Sequence, residues 1–304
     1  MKGLIYDMAI QTVQAVINGQ TYTLTLNSSS GKYEATVTAP TKSSFPMDGH
    51  YYPVTVTATD DAGNSTTKTA TDSTLGSSLQ LRVKEKVVPV IAITSPTNGS
   101  VLINNKPTFE WTITDDDSGV DSASISIKID STTVTDGITK TAITGGYKCT
   151  YTPTTALSDG KHTFIINGSD NDGNAATAVS ATITIDTVAP TLNVSAPADN
   201  LVTNKTTVTV SGTTNDATTS PVTLKVNGKT VEVGSDGSFS TEVTLSGGVN
   251  TITIVATDGA GKATTITRTV TLNTSAPVIS AVTITPNPVD AGATYVISVT
   301  VTDE

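Results

Sequence analysis

Aspartate is the residue type in this chain best placed to do chemistry, because its copies gather at a few points. Asp115, Asp116 and Asp117 are consecutive and Asp121 follows closely, while Asp170 and Asp172 share a later glycine turn. Glu85, Asp186, Asp216 and Asp258 sit beside other turns and linkers. Carboxylates gathered in loops are what a hard cation such as Ca²⁺ requires, since it takes several oxygen ligands from carboxylates and backbone carbonyls. No twelve-residue EF-hand loop is present. The competing use of these residues is turn chemistry, in which Asp and Asn accept hydrogen bonds from nearby backbone N–H groups.

The other reactive types are sparse. The two histidines, His50 and His162, are far apart in sequence, each beside a strand pattern. Neither has the converging partners that a triad or a zinc site demands. The single cysteine, Cys149, lies in Tyr147-Lys-Cys-Thr-Tyr151, where alternation sets it opposite Lys148 and predicts a buried small hydrophobe. Trp111 reads as a core anchor rather than a sugar-stacking platform, and of the adjacent Tyr51 and Tyr52 one must face outward. A glycosidase would need two carboxylates held across a cleft, and only the loop acids are on offer. The expectation is a chain that is not an enzyme. The Asn-x-Ser/Thr triplets at Asn27, Asn64, Asn98, Asn167 and Asn204 follow from composition.

The elements that would position these acids are strands. Charged residues make up 14% of the 304 and aromatics 4%, and the rest is dominated by Thr, Ser, Asn, Gly, Val and Ile. β-Branched types fit a pleated, half-buried surface and are stiff in helices, and 23 Gly and 13 Pro break the chain at short intervals. No stretch keeps a helical period. Three segments repeat: Thr55-Val-Thr-Ala-Thr-Asp-Asp-Ala-Gly-Asn64, Ile165-Ile-Asn-Gly-Ser-Asp-Asn-Asp-Gly-Asn174 and Thr253-Ile-Val-Ala-Thr-Asp-Gly-Ala-Gly-Lys262. Their aspartates Asp60, Asp170 and Asp258 lie 110 and 88 residues apart. A second landmark keeps the register, since Pro89, Pro190 and Pro277 open similar strands 101 and 87 residues apart.

That period is the size of an immunoglobulin-like sandwich, about 100 residues in roughly seven strands. The fold class is therefore all-β: tandem immunoglobulin-like β-sandwich modules in a linear array. The modules fall at residues 1–86, 87–187 and 188–274, with 275–304 as an incomplete fourth module or C-terminal hairpin. Phe109, Trp111 and Ile113 share one strand face, and Asn227-Gly228 is a type I′ hairpin signal between Val222–Val226 and Lys229–Val233. In such a sandwich the loop after the second strand and the late hairpin turn lie at the end that receives the incoming chain. Glu85, Asp115, Asp116, Asp117, Asp170 and Asp172 are thus candidates to converge at the first joint, and Asp186, Asp216 and Asp258 at the second. A Ca²⁺ ion there would stiffen the hinge. No other cofactor is expected.

The net charge of −10 disfavours nucleic acid and anionic membrane surfaces as partners. No run of 18 apolar residues exists, so no membrane insertion is expected, and Met1–Ile10 lacks the apolar core of a secretory signal. The repeated Ala-Thr-Asp-x-Ala-Gly turn, the Ala-Pro module openings, Asp116-Asp-Ser-Gly-Val-Asp121 and Asp186-Thr-Val-Ala-Pro190 resemble bacterial immunoglobulin-like repeats along essentially the whole chain. Module one, with Thr38-Ala-Pro-Thr-Lys-Ser-Ser44, Gly49-His-Tyr-Tyr-Pro-Val54 and Ser77–Lys86, is similar to Ig-like tail proteins of phages of Gram-positive hosts. That resemblance implies a virion tail protein released by lysis. Module one would attach it to other tail subunits, and the later modules would make weak contacts with host-surface glycans. The alternatives are a bacterial surface adhesin or stalk lacking its signal, and a spacer or carbohydrate-binding region of a glycosidase. The terminal strands Val278–Thr285 and Thr294–Thr302 are expected to end the chain natively at Asp303-Glu304. They would pack on module three or add to a sheet edge of a second subunit, giving a homo-oligomer.

Overall fold

The computed structural model describes residues 9–302. Most of the Met1–Ile10 stretch and the closing Asp303-Glu304 pair lie outside that range. Among the described residues the regular elements are strands, with two short 3₁₀ turns at Asp48–His50 and Gly76–Leu79. The chain divides into two compact units, the first holding modules one and two, the second module three and the C-terminal hairpin.

Module two is a two-sheet sandwich. One sheet carries, in order, Thr132–Val134, Ser126–Ile129, Gly160–Asn167 and Val179–Ile185; the other carries Thr139–Ile143, Gly146–Tyr151, Phe109–Thr114 and Val90–Ser95. The alternation read from sequence is what the sheets bury. Phe109, Trp111 and Ile113 are fully buried, while Glu110, Thr112 and Thr114 on the opposite face are partly exposed. Ile125, Ile127, Phe164, Ile166 and Ile183 complete the core from the other sheet and its approaches. The rings of Phe109 and Phe164 meet across the sandwich at 4.7 Å in a tilted arrangement, 58° between planes, a geometry that adds about 1 kcal/mol to the area buried. Cys149 is fully buried beside Trp111 in the ladder, and burial pushes its thiol up to about 11.

Module three repeats the plan. Thr191–Ala196, Thr207–Asn215 and Ser238–Thr244 form one sheet. Leu201–Thr203, Ala263–Leu272, Gly248–Thr257, Thr223–Val226 and Lys229–Val231 form the other, in which Leu201–Thr203 joins parallel to the last strand. Val210, Leu224, Phe239, Ile252, Ile254 and Val270 fill the space between them. The Asn227-Gly228 turn has the left-handed pair that a type I′ hairpin needs, with φ of 47° and 80°. Gly212 serves packing instead: a Cβ there would stand 1.9 Å from the Asn193 carbonyl oxygen.

Module one departs from the two-sheet expectation. Its described strands join one sheet, ordered Lys32–Glu34, Gln20–Asn27, Ile10–Ile17, Tyr52–Asp60 and Ser65–Lys68, with Gln80–Leu81 pairing the start of Tyr52–Asp60. Residues 35–47, where a second sheet would begin, form no strand: the alternating Ala35-Thr-Val-Thr-Ala39 runs into Pro40, and Pro46 follows, neither of which can donate to a ladder. Tyr52 is the buried member of its tyrosine pair, and its hydroxyl donates to the Lys42 carbonyl at 3.2 Å. The C-terminal strands Val278–Thr285 and Val296–Thr302 pair with each other and are exposed on both faces, so the expected packing on module three is not made.

Trp111 is the only tryptophan, so its fluorescence reports on module two alone. Phe164→Ala removes one half of the inter-sheet aromatic contact. It is expected to destabilise module two by about 3–5 kcal/mol, read as a lower urea midpoint in tryptophan fluorescence.

Candidate metal centres

The repeated turn sets the first of the acids. Asp60, Asp170 and Asp258 each accept, through Oδ1, the backbone N–H of the residue four positions on, at 2.9, 2.8 and 2.8 Å from Asn64, Asn174 and Lys262. In the first two turns the asparagine amide also donates to Oδ2, at 3.0 and 2.7 Å. In the third, lysine replaces asparagine, and Asp258 Oδ2 is left buried with no partner.

The loop after Phe109–Thr114, and its counterpart after Thr207–Asn215, sets another acid. Asp115 Oδ1 accepts the N–H groups of Asp117 and Gly119 at 3.0 and 2.9 Å. Asp216 Oδ1 accepts those of Thr218 and Thr219 at 2.8 and 2.7 Å. Each carboxylate is thereby oriented by one oxygen and offers the other. The incoming chain supplies the third acid. Glu85 Oε1 accepts the Ser118 N–H at 2.6 Å, and its Oε2 is buried without a partner. Asp186 accepts the Val188 N–H at 3.2 Å and the Thr219 hydroxyl.

These elements bring together two triads. Oxygens of Glu85, Asp115 and Asp170 lie within 4.8 Å of one another, as do oxygens of Asp186, Asp216 and Asp258, and all six residues are buried. At such separations two carboxylates repel by about 3–4 kcal/mol at an effective dielectric of about 20. Burial raises the Glu85 carboxyl above its ordinary range, and the charges of Asp115 and Asp117 add to the effect, against the pull of the Ser118 N–H.

Three of the nine candidate acids stand outside the triads. Asp116 is exposed. Asp117 accepts the Ser43 N–H from module one at 3.1 Å and lies 4.0 Å from the Lys42 ammonium. Asp172 Oδ2 accepts the Glu85 N–H at 3.0 Å, and its carbonyl accepts from Lys84 Nζ at 2.9 Å. Asp117 and Asp172 therefore hold module one and the linker to the end of module two. Sequence reasoning passed over Thr219, Ser118 and Asn174, which aim the carboxylates. Asn174 was within reach, since it closes the repeated Asp-x-x-Gly-Asn turn.

The histidines serve structure. His50 Nδ1 bonds the Phe45 carbonyl, and its ring stacks on Phe45 at 4.4 Å. His162 is buried, with Nδ1 2.8 Å from Asp130 Oδ2 and Nε2 2.8 Å from the Ser158 carbonyl. Two acceptors favour the doubly protonated ring. Burial opposes that charge, yet the bonds to Asp130 and Ser158 outweigh it and raise the His162 pKa.

Known proteins resemble parts of this chain. Residues 89–166 match the bacterial Ig domain family. Residues 190–274 match the family described as glucodextranase, domain B. Bacillopeptidase F of Bacillus subtilis (strain 168) is 36% identical over 124 residues, which are 41% of this chain and 8% of that protein. The chain therefore spans only a small part of the curated relative it matches. Among solved structures, a three-domain titin fragment, I67–I69, is 12% identical, with 86% of this chain and 87% of that one covered at a TM-score of 0.45. A tetra-tandem repeat from the extending region of a large adhesion protein is 20% identical, with 97% and 81% covered at a TM-score of 0.34.

A raised histidine pKa contributes stability that is full below the unfolded value of about 6.5 and is lost as pH climbs through the folded value. His162→Asn should therefore lower the unfolding midpoint most below pH 6. The gap from the parent protein is expected to narrow as the pH is raised above about 6.5 and through the folded value, in thermal melts followed by circular dichroism.

Proposed function

We propose that this chain is a non-catalytic spacer and adhesive array displayed outside a cell or on a particle. The observation that carries this reading is the succession of sandwich modules two and three, the first matching the bacterial Ig domain, each with its incoming chain bound into its own loops. Modules of this kind set distance and present surfaces. The clustered titratable groups are carboxylates set close to one another at the end of a sandwich, with no nucleophile–base pair among them. Weak contacts from the exposed Thr- and Ser-rich strand faces, with surface glycans as the partner class, would add up through many copies. Neighbouring structural subunits would anchor module one.

Two platforms fit. Motif resemblance in module one favours a phage tail. Identity to a stretch of bacillopeptidase F, and the match of residues 190–274 to a glucodextranase domain, favour an accessory region carried by a larger bacterial surface or secreted protein. The second reading has the wider support, because it rests on two separate matches rather than on motif resemblance in one module.

An antibody raised against residues 87–274 tests the proposal in the native organism, on blots of cytosol, surface-shaved material, culture medium and purified particles. The expected signal is in one of the three external fractions, and a band far above 31.1 kDa supports the accessory-region reading. A signal confined to cytosol overturns external display.

A further inference from the structure

We propose that the two acid triads are calcium sites: Glu85, Asp115 and Asp170 hold one ion where the chain enters module two, and Asp186, Asp216 and Asp258 hold a second where it enters module three. The acids alone would not carry this, because aspartates at turns are common. What carries it is the pair of oxygens that nothing in the protein satisfies. Glu85 Oε2 and Asp258 Oδ2 are buried without a hydrogen-bond partner, in residues that are only 8% and 7% exposed. A buried carboxylate oxygen with no donor is costly, and here each belongs to a carboxylate set beside two others. A cation in each triad removes both costs at once.

The two sites are the same device built twice. Glu85 and Asp186 each stand four residues before the proline that opens the next module, Pro89 or Pro190. Asp115 and Asp216 each follow the strand that ends at Thr114 or Asn215, and Asp170 and Asp258 each open the repeated glycine turn. Module one has the turn aspartate, Asp60, held by Asn64 as Asp170 is held by Asn174, but among the described residues it joins no acid triad and its turn is exposed. The convergence thus belongs to modules two and three, where a linker acid and a loop acid meet the turn.

The donor set selects the ion. Each triad offers oxygen and no imidazole or thiolate, which suits a hard cation rather than zinc. The carboxylates come from three separate segments, each already oriented by backbone N–H groups, and irregular multidentate oxygen geometry suits Ca²⁺ better than octahedral Mg²⁺. An ion there ties the incoming chain to both loops of the module it enters. The mechanical use of that tie, a stiffer array outside the cell, rests on the function proposed above; the binding itself does not. Sites tuned for that setting hold Ca²⁺ with Kd of about 10⁻⁴–10⁻³ M.

The test uses the full chain stripped with EDTA and titrated with CaCl₂ by isothermal calorimetry, with melts in parallel. The expected result is two bound ions and a higher unfolding midpoint with saturating Ca²⁺. Glu85→Gln should leave one ion and Asp258→Asn should leave one. The double variant should bind none and melt at the same temperature with Ca²⁺ or EDTA. Both changes remove like charge from a triad, so in EDTA the variants are expected to melt no lower than the parent protein, which separates loss of a ligand from loss of fold. If either variant fails to fold, the parent protein's response to Ca²⁺ decides alone. No heat and no midpoint shift at millimolar Ca²⁺ would overturn the sites, as would two ions still binding to the double variant. Neither result touches the fractionation experiment, so display and calcium binding fail separately.

Discussion

The contact between two apolar sheet faces is the interaction on which everything else in modules two and three depends. The chain has one cysteine and few aromatics, so no intramolecular disulfide holds the modules together and large rings contribute at only a few core positions. Each sandwich relies on strands whose inward positions are Val, Ile, Leu or Phe and whose outward positions are Thr, Ser, Lys or Glu. Phe109 meeting Phe164, and Leu224, Ile254 and Val270 gathered in one core, are where that stabilisation concentrates. Polar outward faces follow from the same alternation and leave long surfaces free for contact with other molecules.

Packing two sheets face to face leaves loops only at the ends, and this forces acids together. The loop after Phe109–Thr114 or Thr207–Asn215 and the late hairpin turn emerge side by side, next to the incoming chain. Aspartate is favoured in each place for a local reason, because its carboxylate caps backbone N–H groups in a tight turn. The local roles and the collective one use different oxygens. Asp216 Oδ1 closes its own loop while the carboxylate as a whole stands beside Asp186 and Asp258. A residue placed for turn formation thereby becomes part of a charged pocket without a change of residue type.

Module one shows the limit of reading the repeat outward from its best copies. It carries the same Ala-Thr-Asp turn, and Asp60 is held as Asp170 is. Yet its strands make one sheet covered by irregular segments. Its tie to module two is polar, through Ser43 and Asp117, and the linker's Lys84 and Glu85 are gripped by Asp172.

Alternation of period two, the spacing of Asp60, Asp170 and Asp258, and the prolines that open each module were enough to determine an all-β tandem array and the strand faces that become core. They were enough because a strand's burial pattern is local: successive side chains point to opposite faces whatever the strand pairs with. The same local logic placed nine acids near two joints. Which of them meet was decided by tertiary structure alone. Asp116, Asp117 and Asp115 are consecutive, but only the last turns inward, because Asp117 and Gly119 donate back to its carboxylate. Lysine rather than asparagine after the third turn looks like a surface change, yet it leaves Asp258 with an unpartnered oxygen. The meeting of Glu85 with Asp115 and Asp170, and of Asp186 with Asp216 and Asp258, joins segments 30 or more residues apart, and those distances exist only once the two sheets have packed.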